Sequence, residues 1–493
     1  MGQSIPNWLM QRAYLTPNRT GLVYDEKKWS FAEMQANVCL FAGKFASLSI
    51  TAGMRIGILM KNNPETVWAI HALQQLGAEI VFLNNRLTSA EIIFQLKDSA
   101  TKMLVFHSDY EILVDHIQDE CKRISTYSLY DINQRNAVEF TIKDEFQLDD
   151  VCSIMYTSGT TGKPKGVLQT YGNHWWSATG SALNLGLHAD DSWLCAVPLF
   201  HISGFSIIMK SVIYGMPVYL MEQFNEQEAN TLLQSGKITI MSVVSAMLTR
   251  MLAVNDDAEY HRNFRCMLLG GGAARLQLLE ICKNNGIPIF QTYGMTETAS
   301  QIVTLSPEDS LLKLGSAGKP LFPAQVKITL DTGKEANPGT PGDIIVKGPN
   351  VTYGYLNRKE TNDQSFHEGW FRTGDIGYLD QEGFLYVLDR RSDLIISGGE
   401  NIYPAEIEAV LMDRNEIKEA GVIGVDDPKW GKVPYAFIVS DYELLEADVQ
   451  NYCRKKLAAY KIPKRVIQIK CLPRNGTNKV MRHRLLKYIP KKQ

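Results

Sequence analysis

The sequence has no run of 18 apolar residues, so no helix that crosses a bilayer is expected. Its start, MGQSIPNWLMQRA, lacks a basic segment followed by an apolar one, so a secretory signal is not expected there. Gly2 would suit myristoylation, but Pro6 stands where serine or threonine is wanted. The eight cysteines (Cys39, Cys121, Cys152, Cys195, Cys266, Cys282, Cys453 and Cys471) contain no C-x-x-C spacing. Several lie in apolar runs, so they are expected to be reduced, buried small hydrophobes. That suits a cytoplasmic protein and argues against structural zinc. Neither charge sign is in excess: 51 Lys and Arg face 53 Asp and Glu, a net charge of −2. This argues against a nucleic-acid partner. There is no internal repeat and no low-complexity segment.

What is present is a 493-residue chain, too long for one hydrophobic core. Up to about residue 300, short apolar runs alternate with amphipathic stretches. RIGILM (55–60) precedes PETVWAIHALQQLGA, EIVFLN (79–84) precedes SAEIIFQLKDSA, and KMLVFH (102–107) follows. WLCAVPLF (193–200), PVYLM, ITIMSVV, RCMLLG and IPIFQTYG continue the series. Apolar strands separated by helices predict an α/β fold with parallel sheets covered on both faces. Over 315–389 Gly and Pro become dense and the runs shorten, which predicts a small β-barrel subdomain. From about 393 a new α+β pattern begins and predicts a small separate domain. In it Pro404 opens a helix after a glycine turn.

The stretch Tyr156–Gly166, YTSGTTGKPKG, is the densest signal. Three glycines can turn backbone N–H groups toward a ligand, since φ > 0 costs them little. The hydroxyls and two lysines add donors, and nothing in the loop is acidic, so it suits a polyphosphate. It is not a Walker A loop: Gly159 and Gly162 are too close, and Pro164 follows Lys163. A plain surface turn is the bland alternative.

Other candidates each carry a functional and a bland reading. Glu297, at the end of IPIFQTYGMTE, could hold Mg²⁺ together with phosphate oxygens, or be merely solvated. Thr296 could donate to a phosphate. Gly271 and Gly272, in LLGGGAAR, permit close approach of a flat base, or form a tight turn. WFRTGDIG places Asp375 in a glycine-flanked loop, where it could accept both ribose hydroxyls, or make an Asx turn. Arg390 and Arg391 could meet phosphate or ribose, or be a surface pair. Lys479 lies in a basic run whose default is a solvated face. Lys210 is different, because FSIIMKSVIYG reads as a buried helix. Ser203, Ser206 and Lys210 fall on one face of it. A lysine there needs an anion, supplied by a side chain or by a bound carboxylate, unless it snorkels to solvent.

YTSGTTGKPKG, PLFHISG, YGMTE, RTGD, DRRSDLIISGGENIYP and PRNGTNK, in this order, resemble the acyl-adenylate-forming superfamily of acyl-CoA ligases, luciferases and peptide-synthetase adenylation domains. The resemblance covers essentially the whole chain. NHWWSATGSALNLGL, LFHISG, KSVIYGM, MTETASQIVTLSPE and LGSAGKPLF are most similar to a CoA ligase of bacterial quinone synthesis whose acid is an aromatic dicarboxylate.

The resemblance implies ATP and CoA as co-substrates, Mg²⁺ as cofactor, and a cytoplasmic enzyme acting on small molecules, as a monomer or a homo-oligomer. It implies an ATP- and acid-binding domain over 1–389, a hinge at 390–392 and a mobile domain over 393–493. Thr157, Ser158, Gly159, Thr160, Thr161, Gly162 and Lys165 would cradle the β- and γ-phosphates. Gly271, Gly272, Tyr293, Gly294, Met295 and Thr296 would line the nucleotide, with Glu297 on Mg²⁺. Asp375 and Arg390 would grip the ribose. Lys479 would bridge the acid's carboxylate and the α-phosphate, and His201 would border and gate the acid pocket. Gly398 and Gly399 would line the pantetheine tunnel, with Trp430 against CoA. Ser392 and Asn478 depart from residues that relatives have at these places.

Within the superfamily, amino-acid adenylation needs an Asp soon after the histidine motif to hold an α-amine. FHISGFSIIMK has none before Glu222. Lys210 and the polar face with Ser203 and Ser206 favour an acid with a second carboxylate over fatty or simple aryl acids, and Gln301 is a further candidate to bind the same substrate. An inactive nucleotide-binding homologue would have lost Glu297, Asp375 or Lys479, and all three are present.

Overall fold

A computed structural model describes residues 3–490 apart from 158–163, 256–258, 272–275, 310, 314, 331, 391–394, 403, 474–479 and 481. The chain divides into two compact units. One comprises Met1–Asn85, Leu96–Met155 and Gly166–Leu388, and the other Arg86–Gln95, Tyr156–Lys165 and Asp389–Gln493. The sequence suggests a single cut near 389–392. The units also draw two short earlier stretches into the second.

Two sheets dominate the region before residue 321. A six-stranded sheet has the order 165–170, 151–157, 79–82, 55–59, 103–106, 125–128. A nine-stranded sheet has the order 319–320, 300–304, 289–295, 266–270, 240–244, 193–195, 218–220, 20–24, 27–30. Its central strands pair in parallel. Its two ends are finished by antiparallel pairs, which the run-and-helix pattern does not reveal because a hairpin needs no crossover helix. WLCAVPLF is strand only over Trp193–Cys195. Beyond it the chain turns through Pro198, where Gly204 comes so near that a Cβ would lie 2.2 Å from the Pro198 carbonyl oxygen.

Local chemistry sets the helix ends. Thr170 and Asn173 form a capping box that starts Tyr171–Leu185. Ile202–Tyr214 stops at Gly215, which takes the left-handed conformation at φ 73°. Nine of the thirteen residues of that helix are buried, as its apolar sequence predicts. The region expected to be a barrel is a five-stranded antiparallel sheet, with Gly342–Lys347 between Gln325–Thr329 and Trp370–Leu379. In the second unit, Ile395–Ser397, Glu400–Ile402, Glu419–Asp427, Gly431–Val439 and Arg465–Gln468 form a further sheet. Ile395, Ile402, Ile407, Leu411, Val422 and Val449 share its core.

All eight cysteines are free thiols. Six are buried as expected, and burial pushes Cys152 and Cys195 up to about 12. Cys39, in the middle of helix Phe31–Ala46, is half-buried, and Cys471, outside any helix or strand, is exposed. No helix among the described residues is long and apolar enough to cross a membrane.

Candidate active site

Strands Trp193–Cys195, Cys266–Gly270 and Ile289–Met295 run parallel in one sheet, so their C-terminal ends share an edge. At that edge the chain leads into His201, Gly271 and Thr296. In open α/β sheets this is where ligands collect.

The turn after Ile289–Met295 is held by a dense set of bonds. Gln169 Nε2 donates to the Thr296 carbonyl at 2.7 Å, and Thr352 N donates to the Glu297 carbonyl at 2.7 Å. Ser177 Oγ donates to the Ala299 carbonyl at 2.6 Å, and Asn350 Nδ2 to those of Thr298 and Gln301. Ala299 and Ser300 are both left-handed, at φ 49° and 94°. For non-glycine residues this is strain that only such anchoring sustains. Gly294 has a steric reason to be glycine: a Cβ would lie 1.8 Å from the Ser300 carbonyl oxygen. Met295 is buried beneath the turn.

Glu297 is buried, and Tyr355 Oη donates to its Oε1 at 3.0 Å. No other side chain among the described residues bonds its carboxylate, so Oε2 is available to a cation. No group of three His, Cys, Asp or Glu among the described residues could hold a metal alone. Magnesium fits here as an ion held by one carboxylate and by phosphate oxygens.

Asp375 was expected in a loop. It lies instead inside strand Trp370–Leu379 and is buried. The register with the neighbouring strand shifts there, and Gly374 at φ 78° forms the bulge that the glycine-flanked sequence signals. Tyr293 Oη donates to Asp375 Oδ2 at 2.7 Å, joining two expected nucleotide residues.

Lys210 is 2% exposed, so it does not snorkel. Its Nζ donates to Gln301 Oε1 at 2.7 Å and lies 5.3 Å from the centre of the Trp193 ring. Ser181 Oγ donates to the same oxygen at 3.0 Å, and Gln301 Nε2 reaches Thr304 Oγ1 at 3.2 Å. Burial lowers Lys210 to about 7. The nearby His174 is lowered to about 3, first by burial and then by the Lys210 charge. Ser203, expected on the lysine's face, is exposed two turns away and does not join this cluster. His201 begins the same helix, with its ring 4.6 Å from that of Phe200. Ser181, Trp193, His174 and Tyr355 were not found from the sequence. Each lies in an ordinary helix or strand pattern and gains meaning only from its partner.

In the second unit, Thr157 ends strand Val151–Thr157 and Lys165 begins strand Lys165–Thr170. Gly398 and Gly399 take φ 57° and 87°. Gly398 N donates to the Trp430 carbonyl at 2.9 Å, and the indole covers the glycine closely, since a Cβ there would stand 2.7 Å from Trp430 Cε3. Trp430 is exposed, and Lys429 Nζ lies 4.9 Å from the centre of its ring. Ser158, Gly159, Thr160, Thr161, Gly162, Gly272, Lys479, the Arg390 side chain and most of the 390–392 hinge lie outside the described residues.

The model of the AMP-binding enzymes matches residues 9–356, and that of the AMP-binding enzyme C-terminal domain matches 406–479. The 2-succinylbenzoate–CoA ligase of Geobacillus sp. (strain WCH70) is 54% identical over 492 residues, 99% of each chain. Two solved structures of the o-succinylbenzoate CoA synthetase of Bacillus subtilis are 48% identical. A double mutant with the product analogue OSB-NCoA aligns at TM-score 0.94 over 98% of both chains. The complex with ATP and magnesium aligns at 0.76, over 98% of this chain and 100% of the other.

Proposed function

The chain belongs to the AMP-binding enzyme family, and on that footing we propose that it is an ATP-dependent acid–CoA ligase of menaquinone biosynthesis. It converts 2-succinylbenzoate, ATP and CoA into 2-succinylbenzoyl-CoA, AMP and diphosphate. The observation that carries this is the 54% identity, end to end, with a 2-succinylbenzoate–CoA ligase. The buried Lys210–Gln301 pair supports a dicarboxylic acid. A second carboxylate brought to it keeps the lysine charged in a place where burial alone does not.

The reaction proceeds in two steps. The acid's carboxylate attacks the α-phosphorus of ATP and diphosphate leaves. CoA's thiol then attacks the acyl carbon of the adenylate and AMP leaves. Such steps depend on positioning and on charge neutralisation. Thr157, Lys165 and the glycine loop between them hold the β- and γ-phosphates. Thr296 meets the α-phosphate, Asp375 takes the ribose hydroxyls, and Tyr293 keeps Asp375 oriented for them. Glu297 would hold magnesium, which would supply counter-charge to the phosphates. Lys479 and Arg390 add cations at the α-phosphate and ribose. His201 borders the acid, with Lys210 and Gln301 at its far end. Gly398, Gly399 and Trp430 serve CoA, after the region beyond 392 turns about 390–392. The enzyme works in the cytoplasm.

ATP–pyrophosphate exchange over a panel of acids tests the reading. Exchange that depends on 2-succinylbenzoate is expected. Exchange driven by fatty acids or simple benzoic acids, and not by 2-succinylbenzoate, would sink the substrate assignment.

A further inference from the structure

We propose that Lys461 is a positioning residue for the CoA-transfer step, acting through a buried ion triad that fixes the Gly398–Gly399 loop. This rests on the ligase reading above. Lys461 ends the turn Ala459–Lys461 and is 4% exposed. Its Nζ donates to Glu91 Oε1 at 2.8 Å and to Glu406 Oε1 at 2.7 Å, and these carboxylates are 9% and 5% exposed. All three belong to the second unit, although Glu91 falls within the AMP-binding match of residues 9–356.

The triad is poorly built for stability alone. Two buried carboxylates share one ammonium, and Glu406 Oε2 is buried without a hydrogen-bond partner. Taking such charges from water offsets most of their attraction, whereas the pairing strongly selects one arrangement. The geometry is pre-set on one side. Thr88 N and Thr88 Oγ1 both donate to Glu91 Oε2 at 2.9 Å, which fixes this carboxylate at the start of helix Ser89–Asp98.

The arrangement selected is that of the glycine loop. Arg86 pairs with Glu400, the residue that follows Gly399. Five residues beyond Arg86, Glu91 reaches Lys461, and Lys461 reaches Glu406 in helix Pro404–Met412. Thr88 Oγ1 adds a 3.2 Å contact to the Lys456 carbonyl. Residues 86–91 therefore hold the chain at the first residue of strand Glu400–Ile402, directly after the two left-handed glycines, and, through Lys461, at the helix that follows it. Glu297 and Asp375, which serve the first step, have partners of their own in Tyr355 and Tyr293.

The full-length wild type is compared with Lys461→Met and Glu406→Gln in two assays. Pyrophosphate exchange reads adenylation, and thioester formation from pre-made acyl-AMP reads CoA transfer. Lys461→Met is expected to keep exchange within about 2-fold of wild type and to lower kcat for transfer by about 10-fold or more. Glu406→Gln, which keeps one carboxylate on Lys461, should lose less than Lys461→Met. Equal losses in both steps, or unchanged transfer, would overturn the proposal. If the wild type exchanges with another acid, the substrate assignment fails, and the ratio of the two steps with that acid still decides the role of Lys461.

Discussion

Lys210 Nζ stands 2.7 Å from Gln301 Oε1, and no carboxylate among the described residues meets the lysine. The two residues come from a helix and a strand 91 positions apart. A buried ammonium with only neutral partners is an energetic cost in the free protein, which a bound anion can remove.

The pH dependence of stability follows from that cost. Burial lowers Lys210 to about 7 from 10.5. Between these values the unfolded chain binds a proton at this site that the folded chain has lost, so this group makes stability rise with pH across the window. Below about 7 the full penalty applies. Lys210→Met should therefore stabilise the protein at pH 7 by ~1 kcal/mol or more, and the gain should shrink toward pH 10. Denaturant unfolding at several pH values checks this; a gain independent of pH contradicts it. The same variant should raise KM for 2-succinylbenzoate far more than KM for ATP.

Tyr293→Phe removes the donor at 2.7 Å from the buried Asp375. Leaving a buried acceptor short of a partner costs about 1–3 kcal/mol. Lower stability and a KM for ATP raised several-fold are expected, with KM for the acid little changed. An unaltered KM for ATP would show that Tyr293 orients nothing for the nucleotide.

Gly294→Ala puts a methyl group into the Ser300 carbonyl, with only 1.8 Å available. Neither group is a flexible side chain, so the strained turn must move, at about 3 kcal/mol. Glu297 follows three residues later, and exchange activity should fall with stability. A thermal melt and an exchange assay measure the two effects. Full activity in a stable Gly294→Ala variant would mean that the turn tolerates displacement.

Lys479→Ala should abolish adenylation and spare CoA transfer from pre-made acyl-AMP. The lysine's proposed task is to hold the carboxylate against the α-phosphate, and that task ends with the first step. Equal loss in both steps would contradict the assignment.

Much of the fold is legible along the chain. Alternating apolar runs and helices follow from hydrophobic period, and they gave the α/β class and most strand positions. The apolar run around Lys210 put that lysine on a buried helix, and the ordered motifs placed the chain among adenylate-forming enzymes. Glycine positions such as Gly374 and Gly398 signalled backbone turns, since they state a local φ requirement. The partners of the site residues are set by packing between distant segments. Asp375 reads as a loop residue until strand register makes it a bulge beneath Tyr293. Ser203 and Lys210 share a helical face, yet one is exposed and the other is sealed against Gln301. Glu91 and Lys461 lie 370 residues apart. Burial and hydrogen bonding between such residues depend on sheet order and packing, which no local pattern encodes.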